Sequence, residues 1–339
     1  MGIKSLTQTV KKHSPDSITH ENLYKLHGKK VAVDASLIIY QQLFNTRGSK
    51  FFKNNQGKIT NHITGVFFKV MNYISLNIEL IFIFDGKPPE NKSECIQERK
   101  KKAEDAIKLS EKTDNQEEKH KLEKYSTRLT KEMINDIKHL LNLLGISYIE
   151  ADGEGEAYAS ELCRVGQVDY VLTEDMDSLV YGCPKLIRNC VDRSIKRKDI
   201  ISIFDYKKLI NGLELTDDKF INFCILCGCD YCSSVPKLGN VSALKLVKQH
   251  DTIEDIVNNN KTYQFPENYL ELFYAAKHNF LMYKDKLDMK DLNVHKSLPD
   301  VQKLKCHLIH DIQMNETRVN NALKKFHNNY QDKEPILSD

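Results

Sequence analysis

No run of apolar residues in this chain is long enough to cross a bilayer as a helix, so an α-helical membrane protein is excluded and no membrane partner is expected. The start, Met1 to Leu6, has no hydrophobic signal core. Leu6 stands where N-myristoylation requires Ser or Thr. A secreted or lipid-anchored protein is therefore not expected. There is no Gly-x-x-x-x-Gly-Lys phosphate loop, which argues against an ATPase, and no Gly-x-Ser-x-Gly nucleophile elbow. Tandem repeats and Pro-rich or Gly/Ser-rich linkers are also missing. Nor is there a large excess of one charge. The 50 Lys and Arg against 47 Asp and Glu leave +3, too little for a polycation but compatible with a local basic face. Nine cysteines without a secretory signal imply free thiols in a reducing, intracellular compartment.

What is present is enough for one large α/β domain or two ordinary ones: 339 residues, 40% apolar and 29% charged. Lys30-Val31-Ala32-Val33, Leu80-Ile81-Phe82-Ile83-Phe84 and Tyr170-Val171-Leu172-Thr173 are short and almost wholly apolar. They read as buried strands of a parallel sheet. Helical patterns at 63–76 and 133–144, the second stopped by Gly145, alternate with them, as in a doubly wound α/β sheet. Between 92 and 131 stand 12 Lys or Arg against 9 Asp or Glu, which by themselves read as a solvated linker or an exposed helix pair. After Leu215 the pattern is helical through Lys325. Within it, 228–250 reads as a helix end, a turn at 236–239 and a helix over 241–248. The polar tail 328–339 is expected to fray.

The acids carry the strongest signal. The first strand ends in Asp34, the second in Asp85, and the third runs into Glu174-Asp175-Met176-Asp177. Ligands of open α/β sheets bind outside the carboxyl ends of strands. Glu154 and Glu156 lie in a Gly-punctuated turn opening a helix, and Asp230 follows Cys227-Gly228-Cys229 at a helix end. Any one of these could be a helix cap or a surface residue. Gathered together, they require a cation between them. Carboxylates without His or Cys favour Mg²⁺, with Mn²⁺ able to substitute, over zinc. Seven acids are too many for one Mg²⁺, so two ions about 4 Å apart are expected, a pairing suited to phosphodiester hydrolysis. Cys224, Cys227, Cys229 and Cys232 fall close together, which suggests zinc or an iron–sulfur cluster. Yet 223–226 reads as helix and free cysteines pack as small apolar residues, so no second metal is expected there.

With these residues in place, the chain resembles the flap endonucleases of the XPG family of structure-specific 5′ nucleases. The matching motifs are Met1-Gly2-Ile3, Val33-Asp34-Ala35-Ser36 with Tyr40, Phe84-Asp85-Gly86-Lys87-Pro88-Pro89, Glu154-Gly155-Glu156-Ala157, Thr173-Glu174-Asp175-Met176-Asp177 and Gly228-Cys229-Asp230-Tyr231. They extend the resemblance over about 1–291. It implies a PIN-like nuclease fold: a mostly parallel central sheet flanked by helices, a helical arch and a DNA-binding helix–turn–helix. The corresponding regions are 1–104 (N-terminal nuclease region), 92–131 (arch), 118–250 (internal nuclease region, with the helix–turn–helix at 228–250) and 251–339 (C-terminal helices).

The resemblance also implies roles. Asp34, Asp85, Glu154 and Glu156 would serve one metal, and Asp175, Asp177 and Asp230 the other, with Asp34, Asp85 and Asp177 counted as catalytic. Lys92 and Arg99 match a basic pair acting on the scissile phosphate. Tyr40 matches an aromatic that stacks on a terminal base, and Arg47 and Lys69 match basic DNA contacts. Glu154, Gly228, Asp230, Lys237 and Gly239 are the remaining DNA-binding candidates. Lys100, Lys101 and Lys102 would form a sequence-blind funnel for a single strand. The implied function is Mg²⁺-dependent cleavage of 5′ flaps in replication and repair, by a monomer, nuclear in a eukaryote. A 5′→3′ exonuclease and a non-catalytic junction-binding scaffold are the alternatives.

Two departures from the family pattern stand out. The turn Lys237-Leu238-Gly239-Asn240-Val241-Ser242 lacks the family's first glycine and its following basic pair. The resemblance therefore carries over no potassium site there. No Gln-x-x-apolar-x-x-Phe-Phe motif closes the sequence, so no sliding-clamp partner is implied.

Overall fold

A computed structural model of the chain describes residues 3, 5–44, 51–89, 92–195, 197, 199–284 and 294–331. Its strands are β1 (Ile18–Asn22), β2 (Lys30–Asp34), β3 (Glu79–Phe84), β4 (Ser147–Glu150), β5 (Tyr170–Leu172), β6 (Lys185–Asn189), β7 (Ile200–Asp205) and β8 (Val294–His295). The helices up to the middle of the chain are α1 (Leu6–His13), α2 (Ala35–Leu43), α3 (Asn61–Ser75), α4 (Ser93–Ser110), α5 (Gln116–Ser126), α6 (Lys131–Leu144) and α7 (Gly155–Arg164). They continue with α8 (Asp177–Val180), α9 (Tyr206–Leu213), α10 (Asp217–Cys227), α11 (Asn240–Gln249), α12 (Ile253–Asn259), α13 (Tyr269–Leu281), α14 (Val301–Cys306) and α15 (Glu316–Gln331). No helix among the described residues is long and apolar enough to cross a membrane.

The chain divides into two compact units. One comprises Met1–Lys25, Asp85–Ile96 and Ala151–Leu292, the other Leu26–Phe84, Gln97–Glu150 and Asn293–Asp339. In the first unit the strands lie in the order β1-β7-β6-β5. Only β5 and β6 run parallel there; β6–β7 and β7–β1 are antiparallel. α10 buries residues all round, Phe220, Phe223 and Ile225 among them, because it runs through the interior. In the second unit the order is β2-β3-β4-β8, parallel except for β4–β8. The sheet is thus mixed, its three expected strands where the apolar runs put them and its antiparallel pairs at the margins. Val31, Ala32 and Val33 of β2 are buried, as the unbroken apolar run requires.

Helices of the second unit follow the 3.6-residue period. Ile63, Val66, Phe67 and Val70 of α3 are buried, as are Ile137, Leu140, Leu141 and Leu144 of α6. Thr130 caps α6 by accepting from the Met133 N–H at 3.2 Å. Gly145 ends it at φ 68°, a left-handed conformation that glycine adopts without Cβ strain. The charged stretch 92–131 contains the helices α4 and α5, which removes the linker reading. The tail from 332 onward lies outside the described residues.

Candidate active site

Six of the seven acids belong to the first unit: Asp85, Glu154, Glu156, Asp175, Asp177 and Asp230. Asp34 ends β2 in the second, where its Oδ1 accepts from the Leu37 N–H at 3.0 Å and caps α2. Asp34 pairs in register with Ile83, two residues before Asp85 in the chain.

Main-chain N–H groups hold three of the six, Asp85, Asp175 and Asp177, in place. Asp85 Oδ1 accepts from the Gly155 N–H at 2.9 Å, so the positive end of α7 faces a carboxylate. Glu154 is the residue before that helix and Glu156 is in its first turn. The turns are joined by main chain. Gly86 N–H donates to Gly153 O at 2.8 Å, and a Cβ on Gly86 would lie 2.0 Å from Ala151 O. Only glycine fits there. Thr173 Oγ1 donates to Glu156 Oε1 at 3.5 Å and accepts from the Asp175 N–H at 3.1 Å. Asp175 Oδ1 accepts from the Asp177 N–H at 3.2 Å. Asp177 opens α8 and is 5% exposed. Its Oδ1 accepts from the Ile3 N–H at 2.8 Å.

Lys92 carries the positive charge of this cluster. Its Nζ lies 2.7 Å from Glu154 Oε2, 3.4 Å from Asp230 Oδ2 and 5.8 Å from the centre of the Tyr231 ring. Burial opposes that charge, but Glu154, and less strongly Asp230 and Glu156, outweigh it and raise the lysine above its usual range. Burial pushes the Glu154 carboxyl up; Lys92 opposes this, while Asp85 and Asp230 add to the rise. Burial, then Asp175 and Asp230, push Asp177 well above the carboxylate norm. Burial and neighbouring carboxylates both disfavour the charged forms of these acids. Beneath Lys92, the Tyr231 and Tyr181 hydroxyls are hydrogen-bonded at 2.6 Å. Cys95 Sγ–H donates to Asp230 Oδ1 at 3.6 Å.

The other candidates are more scattered. Arg99 is half-buried on α4, seven residues after Lys92 in the chain. Tyr40 is half-buried on α2 with its ring 5.1 Å from that of Phe44. Lys69 is half-buried on α3, and Arg47 lies outside the described residues. Gly228 ends α10 at φ 95°, and Gly239 precedes α11. The Ile3 amide, Tyr181 and Cys95 escaped sequence reasoning; the Met1-Gly2-Ile3 match was the one signal that could have found the first.

The XPG N-terminal domain matches residues 1–106 and the XPG I-region residues 145–230. Flap endonuclease 1 of Glycine max is 37% identical over 335 residues, covering 96% of this chain and 86% of that protein. The chain belongs to the XPG family, among the flap endonucleases. The solved flap endonuclease-1 from Methanococcus jannaschii superposes with a TM-score of 0.70 at 25% identity, covering 98% of this chain and 100% of that one. The catalytic core of Rad2 in complex with DNA substrate gives 0.72 at 22% identity, covering 95% and 99%, a likeness of fold.

XPG-family nucleases are metal-dependent. The donor set here fits Mg²⁺ by chemistry, being hard carboxylates drawn from several elements. Among the described residues, no three His, Cys, Asp or Glu side chains converge as one metal site. The Lys92 ammonium bridges Glu154 and Asp230. The nearby thiols have a different character. Burial alone pushes Cys227 up to about 12, and burial against a Tyr269 hydrogen bond leaves Cys232 at about 11. Protonated thiols are poor metal ligands. In the turn before α11, Lys237 is exposed and takes up φ 66°, the left-handed region that glycine favours.

Proposed function

We propose that this chain is a 5′ flap endonuclease that hydrolyses DNA at single-strand/double-strand junctions and leaves a 5′ phosphate. The observation that carries the reading is the set of carboxylates around the buried Lys92 ammonium. On this reading Asp34, Asp85, Glu154 and Glu156 hold one Mg²⁺, and Asp175, Asp177 and Asp230 the other, with Mn²⁺ able to replace either. When bound, the pair would activate water and neutralise charge on the leaving oxygen. With the ions bound, Lys92, which neighbours Glu154 and Asp230, would offer positive charge to the scissile phosphate together with Arg99. The Ile3 amide keeps Asp177 oriented. Tyr40, Arg47 and Lys69 contact DNA, and the turn from Gly228 to Gly239 grips the duplex. The work belongs to replication and repair, in the nucleus of a eukaryotic cell.

An end-labelled flap should be cut with Mg²⁺ and left intact in EDTA, while blunt, recessed and four-way substrates are cut more slowly. Preference for recessed ends would favour the exonuclease. If a free 5′ end passes beneath the helices of 92–131, a bulky protein on that end should stop cutting while duplex binding persists. Equal rates with free and blocked ends would rule threading out.

Lys237 offers a separate test. A left-handed backbone costs an L-residue about 1 kcal/mol, and glycine's freedom in the unfolded chain returns part of the gain. Lys237→Gly should therefore raise stability by about 0.5 kcal/mol in urea unfolding. Lys237→Ala should weaken all duplex sequences alike and lower the salt slope of flap binding by about one unit. A marked preference for K⁺ over Na⁺ at equal ionic strength would show that the turn binds a cation.

A further inference from the structure

Glu174 lies between Thr173 and Asp175, yet β6 takes up both oxygens of its carboxylate. Oε1 accepts from the Asn189 N–H at 2.8 Å, and Oε2 accepts from Arg188 Nε at 3.3 Å. Arg188 reaches a second element. Its Nη1 donates to Thr7 Oγ1 at 2.9 Å, at the start of α1, and its guanidinium lies over Phe204, 5.9 Å from the ring centre. The Arg188 and Glu174 side chains are 16% and 25% exposed, so the pair is largely shielded from competing water. A third tie to β6 is the Thr173 N–H, which donates to Ile187 O at 3.3 Å.

The two elements joined by Arg188 meet again at Asp177. The acidic loop delivers its carboxylate, and the segment leading into α1 delivers the Ile3 N–H that Oδ1 accepts at 2.8 Å. The Asp177 N–H in turn fixes Asp175 Oδ1 at 3.2 Å. Loop, β6, Arg188, α1 and Ile3 form a closed circuit around Asp177. The planar guanidinium suits this role, because its donors are fixed in one rigid fork, whereas a lysine ammonium rotates on a flexible stem.

We propose that Arg188 is a positioning residue for the metal centre: by bracing Glu174 and Thr7 together it sets the orientation of Asp175 and Asp177 as ligands. The inference rests on the assignment of those acids to a metal. Groups that orient ligands through one intervening contact typically alter metal affinity by about 10- to 100-fold when removed.

The test uses Mn²⁺ as its probe, with the metal-free full chain and no DNA. Free Mn²⁺ is titrated by electron paramagnetic resonance, and thermal midpoints are measured in EDTA. Arg188→Ala should weaken Mn²⁺ binding by about tenfold or more. Thr7→Val removes one acceptor without changing shape, so it should shift affinity in the same direction by less and leave the midpoint in EDTA nearly unchanged. Thr7→Val alone decides the matter if Arg188→Ala does not fold. Affinities within about twofold of wild type in the folded variants overturn the proposal, whatever happens to the midpoints, because Arg188 would then be merely structural. If the wild-type chain takes up no Mn²⁺ that Asp177→Asn abolishes or weakens, the metal assignment itself fails.

Discussion

Asp177→Ala should lower the rate of flap cleavage by at least about a thousandfold, roughly 4 kcal/mol of transition-state stabilisation, while flap binding stays close to wild type. On the proposed assignment the variant loses a metal ligand but no basic group that holds DNA. Asp177 is the most deeply buried of the six acids in its unit, and no neighbouring carboxylate receives the Ile3 amide in its stead. Single-turnover cleavage within about tenfold of wild type would remove Asp177 from the metal centre. Asp177→Asn separates charge from shape, since its amide oxygen still accepts from Ile3. In EDTA it should melt above wild type, because a carboxylate crowded by Asp175 and Asp230 is gone. In excess Mg²⁺ the order should reverse, because the wild type alone keeps its full ligand set.

Lys92→Ala should cut the single-turnover rate by about a hundredfold, the usual cost of losing one donor to a developing charge. Affinity for the flap should change far less, as one phosphate contact among many is lost. Mg²⁺ should bind more tightly to the variant. In wild type the ammonium shares Glu154 and Asp230, and on the proposed assignment a metal held by those acids would compete with it. A slower enzyme with a lower Mg²⁺ requirement is a combination that general damage does not produce. Loss of affinity at an unchanged rate would reduce Lys92 to a phosphate-positioning residue.

Asp34, Asp85 and the 173–177 loop were legible in the sequence because each ends or follows an apolar strand, so strand direction alone delivers them to the same kind of position. What the loop's residues do once there was not legible. Glu174, Asp175 and Asp177 read alike along the chain, but Glu174 is drawn away by Arg188 and Asn189, whose places on β6 depend on its pairing with β5 and β7. β1 was missed because Ile18-Thr-His-Glu-Asn is mostly polar and exposed, a marginal strand held by pairing with β7. The helix end, turn and helix of 228–250 were legible, since Gly228 and Gly239 punctuate them. The partners of Lys92 were not: Glu154 and Asp230 are far from it in sequence, and the charge run around it resembles any solvated helix.

The main-chain bond from Gly86 to Gly153 makes a common part of two turns that belong to distant stretches of sequence. Asp85 and Glu154, each beside one of those glycines, inherit a fixed separation at the level of the backbone. The entropy of bringing them together is spent when the chain folds and is not spent again at each turnover. Mutational tolerance follows from this. One sensitive position carries no charge: a methyl group at Gly86 would force the two turns apart and separate Asp85 from Glu154 while both remained in the chain.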